Sequence, residues 1–349
     1  MSSMEDKGHR SAVEAALRFE KGERVPVNNF ALVTAARSAG IQVKDARYDP
    51  GISARVSVDY SLKTLSDFVK PVVDSQMVFA DLGMDVVFPD DDYGSVKSTL
   101  VTDDNVDDLA FFDPKNASEC PHFTDCIIKS LEETARILPE DLEICGLSWG
   151  PISTAGYLMG TENMLMSLMM EDGIAEKVVK ACTGFVTDQQ LAMADAGATV
   201  MWMADPTASG DILSPDMFPL PVGTIRDVVS SFRKHYDSPS FVHVCGDSTQ
   251  LIPLITETGA DCLSFDHAVD PAEARKAAGR RLALMGNIDP IKYIMQSNPA
   301  EIKRQCKSII DACGSESGFI LAPGCESPIS SPDENVRAMG EAGRDYFSS

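Results

Sequence analysis

The chain has 349 residues, 44% of them hydrophobic, and its 30 basic against 53 acidic residues leave a formal net charge of −23. That balance argues against nucleic acid and anionic membrane surfaces as partners, since both are held through Lys and Arg, and no apolar run approaches the length that spans a bilayer. Nine cysteines without a compact framework of spacings read as free thiols of a reducing cytoplasm.

Taken in order, Met1 to Arg10 is polar and mixed in charge, unlike a signal peptide. Arg10 to Phe19 is predicted helical, with Val13, Ala16 and Leu17 at helical spacing. Arg24-Val25-Pro26-Val27 reads as the first strand, followed by a loop and short helix over Asn28 to Gly40 and a break at Asp49-Pro50-Gly51. Val56 to Phe79 reads as mostly helical with an interruption at Pro71, and Gly83 to Pro89 as the second strand, ahead of the acidic trio Asp90, Asp91 and Asp92. Leu100 to Ala117 reads as an acidic loop and Phe123 to Leu138 as a helix. The third strand is Leu142 to Ser148, ending in Trp149-Gly150-Pro151, and Asn163 to Ala196 is a Met-rich helix. The fourth strand, Ala198 to Ala204, ends at Asp205-Pro206. Phe241 to Val244, Asp261 to Phe265, Arg281 to Met285 and Gly318 to Leu321 complete a set of eight.

Three late helices share one start signal: Asp270-Pro271-Ala272-Glu273, Asn298-Pro299-Ala300-Glu301 and Ser331-Pro332-Asp333-Glu334. Each offers a capping side chain and then proline at the first helical position. With no low-complexity segment or Gly/Ser linker, residues 1–349 read as a single domain. Strands alternating with helices predict an α/β fold, a (β/α)8 TIM barrel with an N-terminal helical extension, against a doubly wound sheet. The choice rests on Asp205, His243, Cys245, Asp266, Asn287 and Cys325, all at or just past strand C-terminal ends, where barrel sites are built.

His243 and Cys245 stand two apart on an extended strand and so point the same way. Cys325, on a Pro-Gly turn, completes a three-ligand set of the soft N/S kind that zinc takes, with one position left open. The alternative is a buried histidine beside free core thiols.

The order Ala204-Asp205-Pro206-Thr207-Ala208-Ser209, Ser214-Pro215-Asp216, His243-Val244-Cys245-Gly246 and Ala322-Pro323-Gly324-Cys325 resembles the uroporphyrinogen decarboxylase superfamily, from about Arg24 to the C-terminus. Within it the chain looks most like the zinc-dependent corrinoid methyltransferases. The resemblance implies Zn2+ on His243, Cys245 and Cys325, with Asp266 as a fourth ligand in the manner of some relatives. It implies methyl transfer between the cobalt of a corrinoid on a partner protein and a small methyl donor or acceptor. Asp205 and Asn287 are expected to orient substrate or loop backbone, and His267 to face the site or the barrel wall. Trp149, Tyr157 and Met159 are expected at the rim where the corrinoid docks, with Trp202 and Met164 to Met170 as further rim candidates. Two departures stand out. Asn28 to Val33 lacks the arginines with which the decarboxylases hold substrate carboxylates, and Cys325-Glu326 replaces the Cys-Gly of coenzyme M enzymes, as in relatives that demethylate methoxylated aromatics. A metal-free decarboxylase-like enzyme and a non-catalytic tetrapyrrole- or corrinoid-binding protein are the competing readings, and a homodimer is left open.

Overall fold

The computed structural model describes residues 9–102, 104–106, 121–139, 142–314 and 317–348. Most of the expected acidic loop Leu100 to Ala117, and the segment before residue 9, lie outside them. Among the described residues there are nine strands: β1 (Phe68–Val69), β2 (Val86–Val87), β3 (Ser95–Val96), β4 (Glu143–Trp149), β5 (Val200–Ala204), β6 (Ser240–Val244), β7 (Cys262–Phe265), β8 (Ala283–Ile288) and β9 (Phe319–Pro323).

Seven strands form one parallel sheet in the order β1-β4-β5-β6-β7-β8-β9. The two edges meet on residues 26–28. Val27 pairs in parallel with Leu321 of β9, Asn28 N–H donates to Leu321 O at 2.8 Å, and Leu321 N–H donates to Pro26 O at 2.9 Å. On the other side, Asp67 N–H donates to Val27 O at 2.7 Å. This segment is the eighth stave, and it satisfies the edge groups an open sheet would expose. Asp67 fixes it: the buried carboxylate takes Val27 N–H at 2.7 Å and pairs with the Arg24 guanidinium.

Side chains alternate between the barrel interior and the helix layer. Phe68, Cys145, Trp202, Phe241, Cys262, Met285 and Ile320 form the interior cluster, and Val13 and Ala16 of helix His9–Leu17 join it. The outer helices bury one stripe each. In helix Pro299–Cys313 the stripe is Ile302, Cys306, Ile309, Ile310 and Cys313, the i, i+4, i+7 spacing of an amphipathic helix. Each buried Ile there is worth about 1.5–3 kcal/mol.

Four expectations are corrected. The second barrel strand is β1, inside the stretch read as helical. Helix Pro50–Thr64 stops where Leu65 turns left-handed at φ 61°, and two residues of strand are too few to display a period. Gly83 to Pro89 instead supplies β2, which pairs antiparallel with β3 outside the barrel. The Met-rich helix is broken into Thr161–Met170 and Ile174–Asp195 by left-handed Glu171 and Gly173. Of the three start signals, Asp270 and Asn298 each accept two backbone N–H groups, but helix Asp333–Asp345 begins after Pro332 without a side-chain cap, and Ser331 Oγ is buried with no partner.

Candidate metal centre and cavity

His243 lies on β6, two residues above Phe241, which puts its ring on top of the interior layer. Nδ1 meets Ser264 Oγ of β7 at 3.0 Å, so Nε2 is free to turn to Cys245 Sγ at 3.1 Å. Cys325 Sγ lies 3.6 Å from Cys245 Sγ, and the three donor atoms fall within 4.8 Å of one another. Glycine is required on the Cys325 side: a Cβ on Gly324 would run into the backbone N of His267, so only glycine lets the β9 turn press against the β7 loop. The hydrogen bond from Cys245 pulls the Cys325 thiol down, against burial and with help from His243, while the same contact and burial push Cys245 up. A cation at the centre of this set would favour loss of both thiol protons.

Phe30 sets its edge against His243, with ring centroids 5.2 Å apart. It holds a left-handed φ of 37°, fixed by Asn28 Oδ1 on its N–H at 2.9 Å and by Ser327 N–H on its carbonyl at 2.8 Å. Such a conformation costs about 1–3 kcal/mol and persists where its surroundings over-determine it. Beneath Phe30, buried Lys70 donates to Asn28 Oδ1 at 2.5 Å and lies over the Phe30 and Trp202 rings at 5.4 and 5.0 Å. Burial lowers Lys70 to about 8.

The three donors open into a cavity of about 210 Å³. Its walls are Phe30, Leu32, Leu147, Trp149, Ala204 and Pro206, with Ser75, Gln76, Tyr93, Ser148 and Glu326 as its remaining polar side chains. Tyr93 O–H donates to Glu326, whose carboxyl burial pushes up to about 8 against that hydrogen bond. Sequence reasoning gave Glu326 only as a departure and missed Phe30, Lys70, Gln76, Tyr93 and Ser264. Lys70 was hidden by the misread strand, and Gln76 and Tyr93 sit in connecting segments with no periodic pattern.

The remaining expected residues fall around this centre. Asp266, expected as a fourth ligand, is not among the three donors that lie within 4.8 Å of one another, and its Oδ1 is turned to His267 Nδ1 at 2.6 Å and to Ala268 N–H at 3.0 Å. His267 sits partly exposed between Asp266 and Asp289. Asn287 Nδ2 donates to Asp266 O and Val269 O at 3.0 and 2.8 Å, pinning the same loop. Asp205 accepts from Ser153 N–H and Oγ–H, both at 2.7 Å, and from Ile152 N–H at 3.3 Å. It thereby anchors the start of helix Pro151–Met159, and burial raises its carboxyl to about 6. Trp149 lines the cavity. Tyr157 and Met159 belong to that helix: Tyr157 packs behind Trp149 at 5.4 Å and Met159 is buried in the core. Trp202 is wholly buried inside the barrel, Met164 is buried, and Met166, Met169 and Met170 are exposed.

The chain's own geometry defines a parallel α/β barrel whose mouth carries one imidazole and two thiols. The uroporphyrinogen decarboxylase (URO-D) family model matches residues 9–346, and the chain belongs to that family. A methylated-thiol–coenzyme M methyltransferase of Methanosarcina mazei is 27% identical over 220 residues, 62% of this chain and 57% of that protein. A methylcobamide:CoM methyltransferase of Methanosarcina barkeri is 28% identical over 226 residues, 63% of this chain and 64% of that protein. The chain thus spans less than two thirds of the length of these relatives. A solved methyltransferase from Methanosarcina mazei superposes with a TM-score of 0.87 over 98% of this chain and 99% of its own, at 22% identity, and so shares the fold. No helix among the described residues is long and apolar enough to cross a membrane.

Proposed function

We propose that the protein is a methyltransferase that moves a methyl group between the cobalt of a corrinoid protein and a small substrate, with zinc held by His243, Cys245 and Cys325. The observation that carries this reading is the convergence of one imidazole and two thiols on a cavity at the barrel mouth. The donor set fits zinc, because a soft N/S triad leaves a fourth position for substrate. Bound there, zinc supplies Lewis acidity to a substrate oxygen or sulfur and favours its deprotonated form.

The chain's own residues do the rest. Ser264 fixes the His243 ring so that Nε2 faces the thiols, an outer contact of the kind that orients metal ligands. Phe30 holds the ring from its edge, and the apolar walls exclude water from the reacting atoms. Asn287 and Asp266 shape the β7 loop against which the Cys325 turn is seated. Asp205 orients the backbone that carries Trp149 and helix Pro151–Met159. In-line transfer requires reacting atoms about 3–3.5 Å apart, so the corrinoid's carrier has to press against the rim.

The test is a spectroscopic assay with cob(I)alamin and a panel of methoxyarenes, methylamines and methylated thiols, and with methylcobalamin and thiols for the reverse direction. Conversion between cob(I)alamin and methylcobalamin that depends on the protein, and that falls at least 100-fold in Cys325→Ala, is expected. Turnover in Cys325→Ala equal to that of the wild type would refute the assignment.

A further inference from the structure

Resting on the reading of His243, Cys245 and Cys325 as a metal centre, the segment from Asn28 to Thr34 bears on two of the three donors. The Phe30 ring meets His243 at 5.2 Å and packs against Trp202 at 4.6 Å. Its carbonyl accepts from Ser327 N–H at 2.8 Å. Ser327 stands two residues past Cys325 and is tied twice more to the same segment. Its Oγ–H donates to Asn29 O at 3.0 Å, and its carbonyl accepts from Thr34 Oγ–H at 3.0 Å. Phe30 therefore touches both the imidazole and the turn that carries the Cys325 thiol.

Phe30 is in turn set by Asn28. Asn28 Oδ1 accepts from Phe30 N–H at 2.9 Å, the turn that Asn side chains make with the backbone two residues on. The same oxygen accepts from Lys70 Nζ at 2.5 Å. Both partners are donors, so the amide faces them with its oxygen, and its Nδ2 turns to Met285 Sδ at 3.4 Å. Lys70 also lies over the Phe30 and Trp202 rings at 5.4 and 5.0 Å. A buried ammonium held by one amide oxygen and two rings is costly to the fold, and groups so placed cluster at functional sites.

We infer that Lys70 and Asn28 are positioning residues of the metal centre, which act through Phe30 to hold the His243 ring and the Cys325 turn in one arrangement. Contacts of this kind, one step behind the ligands, are worth about 10–100-fold in metal affinity. The direction of the effect separates position from charge. On charge alone, loss of the Lys70 cation would tighten the binding of a dication. Loss of a brace weakens it.

The test is the zinc affinity of the full chain, measured at neutral pH by competition with a chromophoric chelator. Lys70→Met keeps the bulk and removes the donor, and Asn28→Leu removes the acceptor; each should weaken zinc about tenfold. The double variant should be within about twofold of the weaker single variant, because both side chains act through Phe30. Asn28→Asp keeps the acceptor and should stay within about threefold of wild type. Affinity in Lys70→Met equal to or tighter than that of wild type would overturn the inference, even if its urea midpoint falls, since that is the result of a purely structural role. So would a loss of about 100-fold in the double variant, the additive result, or a loss in Asn28→Asp as large as in Asn28→Leu. A wild-type chain that takes up no zinc counts against the metal-centre reading alone, and ring-proton NMR of the metal-free, histidine-labelled chain then decides the positioning. The His243 ring protons, identified with His243→Gln, lie near the Phe30 and Trp202 rings, 5.2 and 6.4 Å away between centroids, and should shift in both single variants. Resonances identical to those of wild type would overturn the inference.

Discussion

Lys70 carries a charge for which no carboxylate among the described residues lies within ion-pair distance. Its ammonium is wholly buried and held by one amide oxygen and two aromatic faces. Burial penalises the charged form in the folded chain and lowers its pKa to about 8 from 10.5. Below pH 8 the fold bears the whole penalty, and the penalty fades as pH rises towards 10.5. In that window the unfolded chain binds more protons than the folded one, so this group makes stability rise with pH. Lys70→Met removes the titration. Its unfolding free energy, from urea titrations at a series of pH values, should lose up to about 3 kcal/mol relative to wild type between neutral pH and 10.5. A difference between the two proteins that stays constant across that range would contradict the account.

Two anchors act on whole elements. Asp205 satisfies the first N–H groups of helix Pro151–Met159 from the end of β5. Asp205→Ala removes that cap and should cost about 1–2 kcal/mol of stability, while metal content stays at the wild-type level; loss of metal in this variant would place Asp205 among the ligands. Asp67 ties the closing segment to β1. Asp67→Ala should cost about 3–5 kcal/mol, the usual penalty for removing one member of a buried ion pair, and a loss under 1 kcal/mol by chemical denaturation would show that the barrel closes without it. Elements of this scale were legible where they were long or punctuated. The strands from β4 to β9 and the caps Asp270 and Asn298 follow from hydrophobic runs and Asp-Pro or Asn-Pro signals. β1 was not, because its identity comes from Asp67 reaching 40 residues back to Val27, a tertiary contact without a local signature.

For the molecule as a whole, alternation of strand and helix together with polar residues at strand ends was enough to read a barrel and to bring His243, Cys245 and Cys325 to one mouth. Sequence spacing alone did not assemble the rest of the centre. Tyr93 and Glu326 are 233 residues apart, and Phe30, whose backbone is held in a rare conformation, meets His243 from a distant part of the chain. The expectation of Asp266 as a ligand follows from its position after β7, and that position carries no signal for the contacts of its Oδ1 with His267 and Ala268. On the proposed reading, a zinc centre on His243, Cys245 and Cys325 carries methyl transfer. Elemental analysis of purified wild type, Cys245→Ala and Cys325→Ala, coupled to the cobalamin assay, tests it most directly. The expected result is about one zinc per wild-type chain and less than about a tenth of that in either folded variant, with turnover tracking zinc. Wild-type protein stripped of zinc that transfers methyl groups at the full rate would contradict it.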